Sequence, residues 1–423
     1  MVANTSVPVA VIGAGHSGLS ASYWLGRHGI EHVVIERGRV AESWREERWD
    51  SLRLLTPNWQ NSLPGSSYEG DDPDGFMTMD GVIQFITDYG SDINAPIVEG
   101  TNVTRVTASV NGYVIETSRG RFEARAVILA GGACNVASLP RFADAMPEDV
   151  PAVHSMHYKN PRQLPKGPAL VVGASATGLQ LANEIHDSGR PVTISVGEHV
   201  RMPRIYRERD VQWWMHATGL LDDTIDDVDD LVRARNIPSP QLVGTPDHST
   251  VDLNSLSGKG VELVGRLAGV RSMGGASLAQ FSGSLKNVCA LADLKLNRLL
   301  DTFDEWADKQ TNLEVGKVER FANTIVSERP ELGITIGGSG GIQSVIWATG
   351  YKPDYSWLDL PVFDSKGRLK HEGGVVKDSP GVVILGLTFL RRRKSSFIHG
   401  ANDDARELVD VLAQYLDGQV PQS

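Results

Sequence analysis

The feature that most constrains this chain is a strand, a glycine-rich turn and a helix, met in that order at the N-terminus and again about 160 residues later. Val9-Ala10-Val11-Ile12 is an apolar run suited to a buried strand. Gly13-Ala14-Gly15-His16-Ser17-Gly18 follows, and Leu19 to His28 reads as a helix. The next apolar run, His32-Val33-Val34-Ile35, ends on Glu36. In such a unit Gly13 makes the tight turn, Gly15 lets the backbone approach a pyrophosphate, and Gly18 lets helix and strand pack closely. The helix N-terminus offers free N–H groups and a positive dipole end to the phosphates. Glu36 can accept hydrogen bonds from both ribose hydroxyls. A lone glycine motif is often only a loop; with strand, helix and acid in register, a dinucleotide site is predicted.

The second unit runs from Ala169 to Val196. Ala169-Leu170-Val171-Val172 leads into Gly173-Ala174-Ser175-Ala176-Thr177-Gly178, then a helix over Leu179 to Ser188 and a strand over Val192 to Val196. Ser175 replaces the middle glycine and crowds the backbone approach. The position matching Glu36 is Val196, so no acid awaits the ribose there, which leaves room for a 2′-phosphate. Arg201 and Arg204 could hold that phosphate, while Glu198 would repel it. NADPH is therefore favoured and NADH stays open, as does a dinucleotide-type unit that has lost its ligand.

Further strands, Ala126 to Leu129 ending in Gly131-Gly132, Ser344 to Trp347, and Gly381 to Leu385 ending at Gly386, place strand-forming segments early and late. The expectation is an α/β chain with two Rossmann-like dinucleotide-binding domains. The first would be discontinuous, covering 1–145 and 340–423, with the second, 146–339, inserted and carrying a largely helical insertion at about 200–310. The net charge of −11 argues against nucleic acid or an anionic membrane as partner. Two cysteines, Cys134 and Cys289, make neither a CxxC pair nor a disulfide framework, and no metal-ligand cluster is seen. No apolar stretch reaches 18 residues, and Met1 to Pro8 lacks a charged n-region, so a cytoplasmic protein without a membrane span is expected.

The pair of glycine motifs, the late Ala348-Thr349-Gly350-Tyr351 and the stretch from Trp44-Arg45 through Leu54 with Thr56-Pro57-Asn58-Trp59 resemble the two-dinucleotide-domain flavoproteins, and within them the flavin-containing monooxygenases. The likeness covers most of the chain except roughly 200–310. It implies FAD on Gly13, Gly15, Gly18 and Glu36, with Trp44 and Arg45 along the flavin, and a nicotinamide nucleotide on Gly173, Ser175 and Gly178. Thr349 and Gly350 would link the domains, and Gly386 would close the FAD fold. The family's fingerprint FxGxxxHxxx(F/W) is matched by 148–158: His154 and Tyr158 stand at the right spacing, while Glu148 and Val150 replace the Phe and Gly.

The resemblance further implies that NAD(P)H reduces FAD and that O2 gives a C4a-(hydro)peroxyflavin. That species would oxygenate a small organic substrate, by N/S oxidation or a Baeyer–Villiger route. Asn58 is the residue expected near C4a, or else an Asn closing a turn after Pro57. His154 either couples nicotinamide and flavin or is a linker histidine satisfied by backbone. The last helix, from about Asn402 to Leu416, would aim its N-terminus at the flavin. Arg391 to Lys394 reads as a solvated basic loop, or as one supplying an Arg to flavin or nucleotide. Leu291, Leu294, Leu299, Leu300, Phe303 and Trp306 are read as one helix face, and the insertion as a lid or a homodimer contact. Two rival functions stay open: an NAD(P)H-dependent FAD oxidoreductase feeding a quinone or another acceptor, and a flavoprotein redox sensor without turnover.

Overall fold

The computed structural model describes residues 5–273 and 276–418. Strand β1 (Thr5–Ile12) is followed by helix α1 (His16–Arg27) and strand β2 (His32–Ile35), as the motif requires. Val9, Ala10 and Val11 are wholly buried, as expected for a parallel strand covered on both faces. The short helix α2 (Glu42–Glu46) carries Trp44 and Arg45, and α3 (Met79–Asp92) is capped by the Thr78 hydroxyl accepting from the Gly81 N–H. Strands β3 (Ile97–Val98), β4 (Val103–Ser109), β5 (Gly112–Thr117) and β6 (Gly120–Leu129) extend the sheet. Gly13, at φ +109°, turns so tightly that a Cβ there would stand 2.6 Å from the Ala130 carbonyl oxygen.

A linker strand, β7 (Ala152–His154), leads to β8 (Ala169–Val172), α4 (Ala176–Asp187) and β9 (Val192–Ser195). Then come α5 (Val211–Ala217), α6 (Leu231–Arg235), α7 (Leu253–Lys259) and β10 (Glu262–Val264). Strands β11 (Leu267–Met273) and β12 (Ala276–Phe281), helix α8 (Leu285–Ala307), and strands β13 (Gly333–Ile336) and β14 (Ser344–Trp347) complete the middle of the chain. The second sheet runs β7-β14-β8-β9-β10, all parallel, and β11-β12-β13 form an antiparallel sheet beside it.

The chain then returns. Strand β15 (Leu358–Asp359) pairs with β4, β16 (Val382–Ile384) pairs with β6, and α9 (Ala401–Leu416) packs on α1. The first sheet thus reads β15-β4-β5-β6-β1-β2-β3, and β16 pairs with β6 residues 127–129, beyond the stretch that pairs with β5. The α/β class, the two dinucleotide folds and the discontinuity of the first match expectation.

Three details differ. Strand β14 lies between β7 and β8 in the second sheet, so the return to the first fold comes after Trp347 and not near 340. The region 200–310 is helical only in part, in α5, α6, α7 and α8; α7 and β10 are a crossover of the second fold, and β11 and β12 are strands. The buried side of α8 runs through Leu285, Cys289, Ala292, Leu296, Leu300 and Phe303, whereas Leu291 and Leu294 are exposed. Leu291 and Leu294 follow the same leucine repeat but sit about a residue off the true stripe. No helix among the described residues is long and apolar enough to cross a membrane.

Candidate functional site

The N-termini of α1 and α4 open into one cavity of about 850 Å³. His16 reaches it from α1, and Ala176 and Thr177 reach it from α4. The 44–56 segment forms one wall, the insertion (Met202, Met215, Leu242, Leu296) another, and Phe389 to Ile398 a third.

The first glycine motif is built as its residues imply. A Cβ on Gly18 would lie 1.9 Å from the Gly13 carbonyl oxygen, so helix and turn are in contact. A Cβ on Gly15 would meet nothing within 4 Å, so the space in front of the helix N-terminus is kept open. Glu36 is buried; its Oε2 accepts from the Ala14 N–H at 2.8 Å and its Oε1 from Gly38 at 3.0 Å. Burial outweighs those bonds and raises its pKa. Gly386 stands against the first turn of α1, where a Cβ would be 2.7 Å from Ser17 Oγ. The second motif repeats this geometry. Ser175 has φ −86° and ψ −174°, against −82° and −177° at Gly15, so the backbone path is the same and only the added side chain differs.

Burial lowers the His16 pKa to about 4, and its Nε2 is buried without a partner. Its ring therefore enters the site uncharged at neutral pH. Other buried polar atoms also lack partners: Asn58 Oδ1, Gln60 Oε1 and His399 Nδ1. Of these four only His16 lines the cavity, where its open Nε2 suits a polar ligand, because a buried polar group left unpaired costs about 1–3 kcal/mol.

Arg48 lies over two aromatic rings in the cavity, 5.5 Å from the Trp44 centroid and 5.4 Å from that of Tyr351. Arg45 points away, with Nε donating to the Val40 carbonyl and Nη2 to Thr87 Oγ1. Asn58 is not among the lining residues; its Nδ2 donates to the Asp72 carbonyl at 2.8 Å. In this structure its side chain ties the turn after Pro57 to the loop at Asp72.

The linker fixes the two folds to each other. His154 is 4% exposed; its Nδ1 accepts from the Met156 N–H, so Nε2 carries the proton and donates to the Gly350 carbonyl at 3.0 Å. Its ring meets that of Tyr351 edge-on at 5.2 Å. Tyr158 donates to Glu184 on α4 at 3.2 Å. Lys159 Nζ donates to the carbonyls of Arg45, Glu46 and Arg48. Thr349 Oγ1 donates to the Ser138 carbonyl, and Ser138 N–H to the Gly350 carbonyl. The surviving fingerprint residues thus reach the crossover and the second nucleotide helix.

Three expectations about charge are corrected. Arg201, 6% exposed, bonds Asp293 at 2.7 Å, Asp252 at 2.9 Å and the Ala322 carbonyl at 2.8 Å. Arg204, 1% exposed, bonds Asp210 and the Leu55 carbonyl and covers the Phe76 ring. Neither guanidinium is open to a nucleotide phosphate, because a buried cation takes carboxylate partners within the fold. The basic run is not a solvated loop: Arg391 and Arg392 pair with Glu407, Arg392 also with Asp404, Arg393 with Asp223, and Lys394 with Asp222 and Asp403. It clamps α9 to the insertion. His16 and Arg48 line the cavity although neither stands out as a site residue in the sequence; a histidine at the helix start inside the glycine motif was the available signal for the first.

A family model described as pyridine nucleotide-disulphide oxidoreductase matches residues 10–217. Both cysteines here, Cys134 and Cys289, are free. An oxidoreductase of Geobacillus kaustophilus, CzcO-like, is 30% identical over 410 residues, 96% of this chain and 98% of its own. Indole-3-pyruvate monooxygenase YUCCA6 of Arabidopsis thaliana is 25% identical, covering 95% of this chain and 89% of that protein. The structure of a flavin-containing monooxygenase from Stenotrophomonas maltophilia shares the fold, with TM-score 0.65 at 21% identity over 97% of this chain and 99% of that one. With two dinucleotide folds facing one cavity, the chain belongs to the CzcO-like oxidoreductase family.

Proposed function

We propose that this protein is an NADPH- and FAD-dependent monooxygenase that uses O2 on a small organic substrate. The observation that carries this reading is the shared cavity: both helix N-termini, α1 through His16 and α4 through Thr177, open into one apolar-walled space. The α1 and α4 N-termini would each hold a dinucleotide's phosphates at the edge of this one space. The monooxygenase names of relatives such as the Arabidopsis protein support oxygenation over simple electron transfer.

FAD fits the first fold on the residues present: the open space at Gly15, the buried Glu36 carboxylate, and the unpartnered His16 Nε2. When bound, FAD supplies the two-electron chemistry and oxygen activation that no side chain here provides. This chain does the rest. Glu36 would hold the ribose, and the α1 N–H groups and dipole would hold the pyrophosphate. Leu54, Met215, Leu296, Phe389 and Ile398 exclude water, on which the yield of oxygenated product depends. His154, Tyr158 and Lys159 act as positioning residues that set the distance between the folds.

Stopped-flow absorbance tests the proposal. FAD-loaded protein is reduced anaerobically with NADPH and mixed with O2. A transient spectrum unlike that of oxidised or reduced flavin is expected. Single-step reoxidation with stoichiometric hydrogen peroxide would instead assign electron transfer to a quinone or other acceptor. A flavin that no nicotinamide nucleotide bleaches would leave a redox sensor.

A further inference from the structure

At the adenosine end of the second fold, the loop that leaves β10 is fastened on both sides of one arginine. Ser195, the last residue of β9, is 2% exposed, and its hydroxyl donates to the Gly265 carbonyl at 3.1 Å and accepts from the Leu267 N–H at 2.8 Å. From the other side, the Ser282 N–H donates to the Arg266 carbonyl at 2.9 Å. A Cβ on Gly265 would stand 1.9 Å from the Ser282 carbonyl oxygen, so this close approach requires glycine. The backbone of Arg266 is therefore held fast, while its side chain is exposed. Its methylenes pass Gly197: a Cβ built at 197 would find Arg266 Cγ at 3.9 Å and Cδ at 4.0 Å, and nothing nearer. Among the described residues its guanidinium has no hydrogen-bond or ion-pair partner.

Gly197 is one residue past Val196, where an acid would meet the ribose 2′-hydroxyl in a fold selective for NADH. Lys295 of α8 approaches the same loop, with Nζ 3.1 Å from Glu198 Oε1. Arg201 and Arg204 are closed off by their own carboxylates.

We propose that Arg266 and Lys295 form a phosphomonoester subsite that reads the 2′-phosphate of the nicotinamide nucleotide. The inference rests on the reading of the second fold as a nucleotide site. A guanidinium fork on a fixed backbone can meet phosphate with two parallel N–H bonds, and Lys295 adds a point charge. Glu198, largely exposed, holds Lys295 beside the loop. Gly197 contributes by leaving the space in front of Arg266 free of side chain.

Isothermal titration of the FAD-loaded full-length protein with 2′,5′-ADP and with 5′-AMP tests this. Wild type is expected to bind 2′,5′-ADP the more tightly. Arg266→Ala should weaken 2′,5′-ADP by about ten- to a hundredfold, the range of a charge-assisted hydrogen bond, and leave 5′-AMP unchanged; Arg266→Lys should restore part of the loss. Equal weakening of both probes would overturn the proposal, because Arg266 would then serve the adenine. So would an unchanged affinity in Arg266→Ala, or a wild type that does not distinguish the probes. A wild type that binds neither probe would sink the nucleotide reading of the second fold, and this subsite with it.

Discussion

The imidazole Nε2 of His154 donates to the carbonyl oxygen of Gly350 at 3.0 Å, so the chain entering the second fold is bonded to the chain leaving it. The bond needs a neutral ring in one tautomer, and burial supplies this by lowering the His154 pKa. Strands β7 and β14 are paired here, so a shift at His154 passes to both crossings at once. His154→Ala is expected to keep its FAD and to slow anaerobic reduction by NADPH about ten- to hundredfold, since small displacements of reacting groups are costly. His154→Gln, which can donate in its place, should recover part of the rate. Wild-type rates in His154→Ala would reduce the residue to a satisfied linker histidine.

Gly15 and Gly18 should respond differently to the same change. Gly15→Val places its side chain in space that no protein atom occupies. A folded protein with near-wild-type thermal stability in the apo form, but colourless, is expected. Gly18→Val drives the first added carbon to within 1.9 Å of the Gly13 carbonyl oxygen. That should cost about 3 kcal/mol or more, as overpacking at a backbone contact does. Melting curves of the apo proteins and flavin absorbance of the purified ones separate the two. Stoichiometric FAD in Gly15→Val would move the flavin elsewhere.

Stability should fall on mild acidification. Burial lowers the pKa of His371 to about 4 and that of His399 to about 3, from an ordinary value of 6.5. The unfolded chain therefore takes up these protons first. The stabilising difference is complete above about pH 6.5 and is lost as pH falls toward the folded values. By pH 5 each group should have cost about 1–2 kcal/mol. Urea midpoints of wild type and His371→Gln at pH 7.5 and pH 5 measure this; parallel lines would show that His371 contributes nothing to the slope.

Local geometry was the legible part of the sequence. Gly13, Gly18, Glu36 and Gly173 sit where they do because turn, close contact and acid are decided within about 30 residues, and such patterns show in the residue order itself. The partners of charges were hidden. Arg201 looked free because its carboxylates, Asp252 and Asp293, are distant in sequence and arrive from α7 and α8. Arg391 to Lys394 looked solvated because the acids that neutralise it come from 222–223 and from α9. Strand β14 was assigned to the wrong sheet for the same reason: four apolar residues fit either sheet, and only the long-range pairing with β7 and β8 decides. Arg266 could not be seen at all, since its position depends on a hydroxyl 71 residues earlier in the chain.

Arg201 gives the sharpest test of that distinction between near and distant partners. Its guanidinium joins Asp252, the N-cap of α7, to Asp293 in the middle of α8, and it also bonds the Ala322 carbonyl. The side chains of Asp252 and Asp293 are only 11% and 7% exposed, so removing the cation leaves two carboxylates with little access to water. Breaking one partner out of a buried pair costs about 3–5 kcal/mol, mostly as the penalty of the stranded charge. Arg201→Met, which keeps the bulk, should therefore lower the denaturation midpoint sharply. Asp293 also accepts from the Thr324 N–H and hydroxyl, so the loss should loosen 322–324 together with α8. The ratio of NADPH to NADH affinity should stay at its wild-type value, because the guanidinium faces carboxylates and not the end of β9. Chemical denaturation and nucleotide titration of the same sample measure both. A variant of normal stability that has lost its preference for NADPH would mean that Arg201 turns toward the phosphate when nucleotide binds, and Arg266 would lose its role to it.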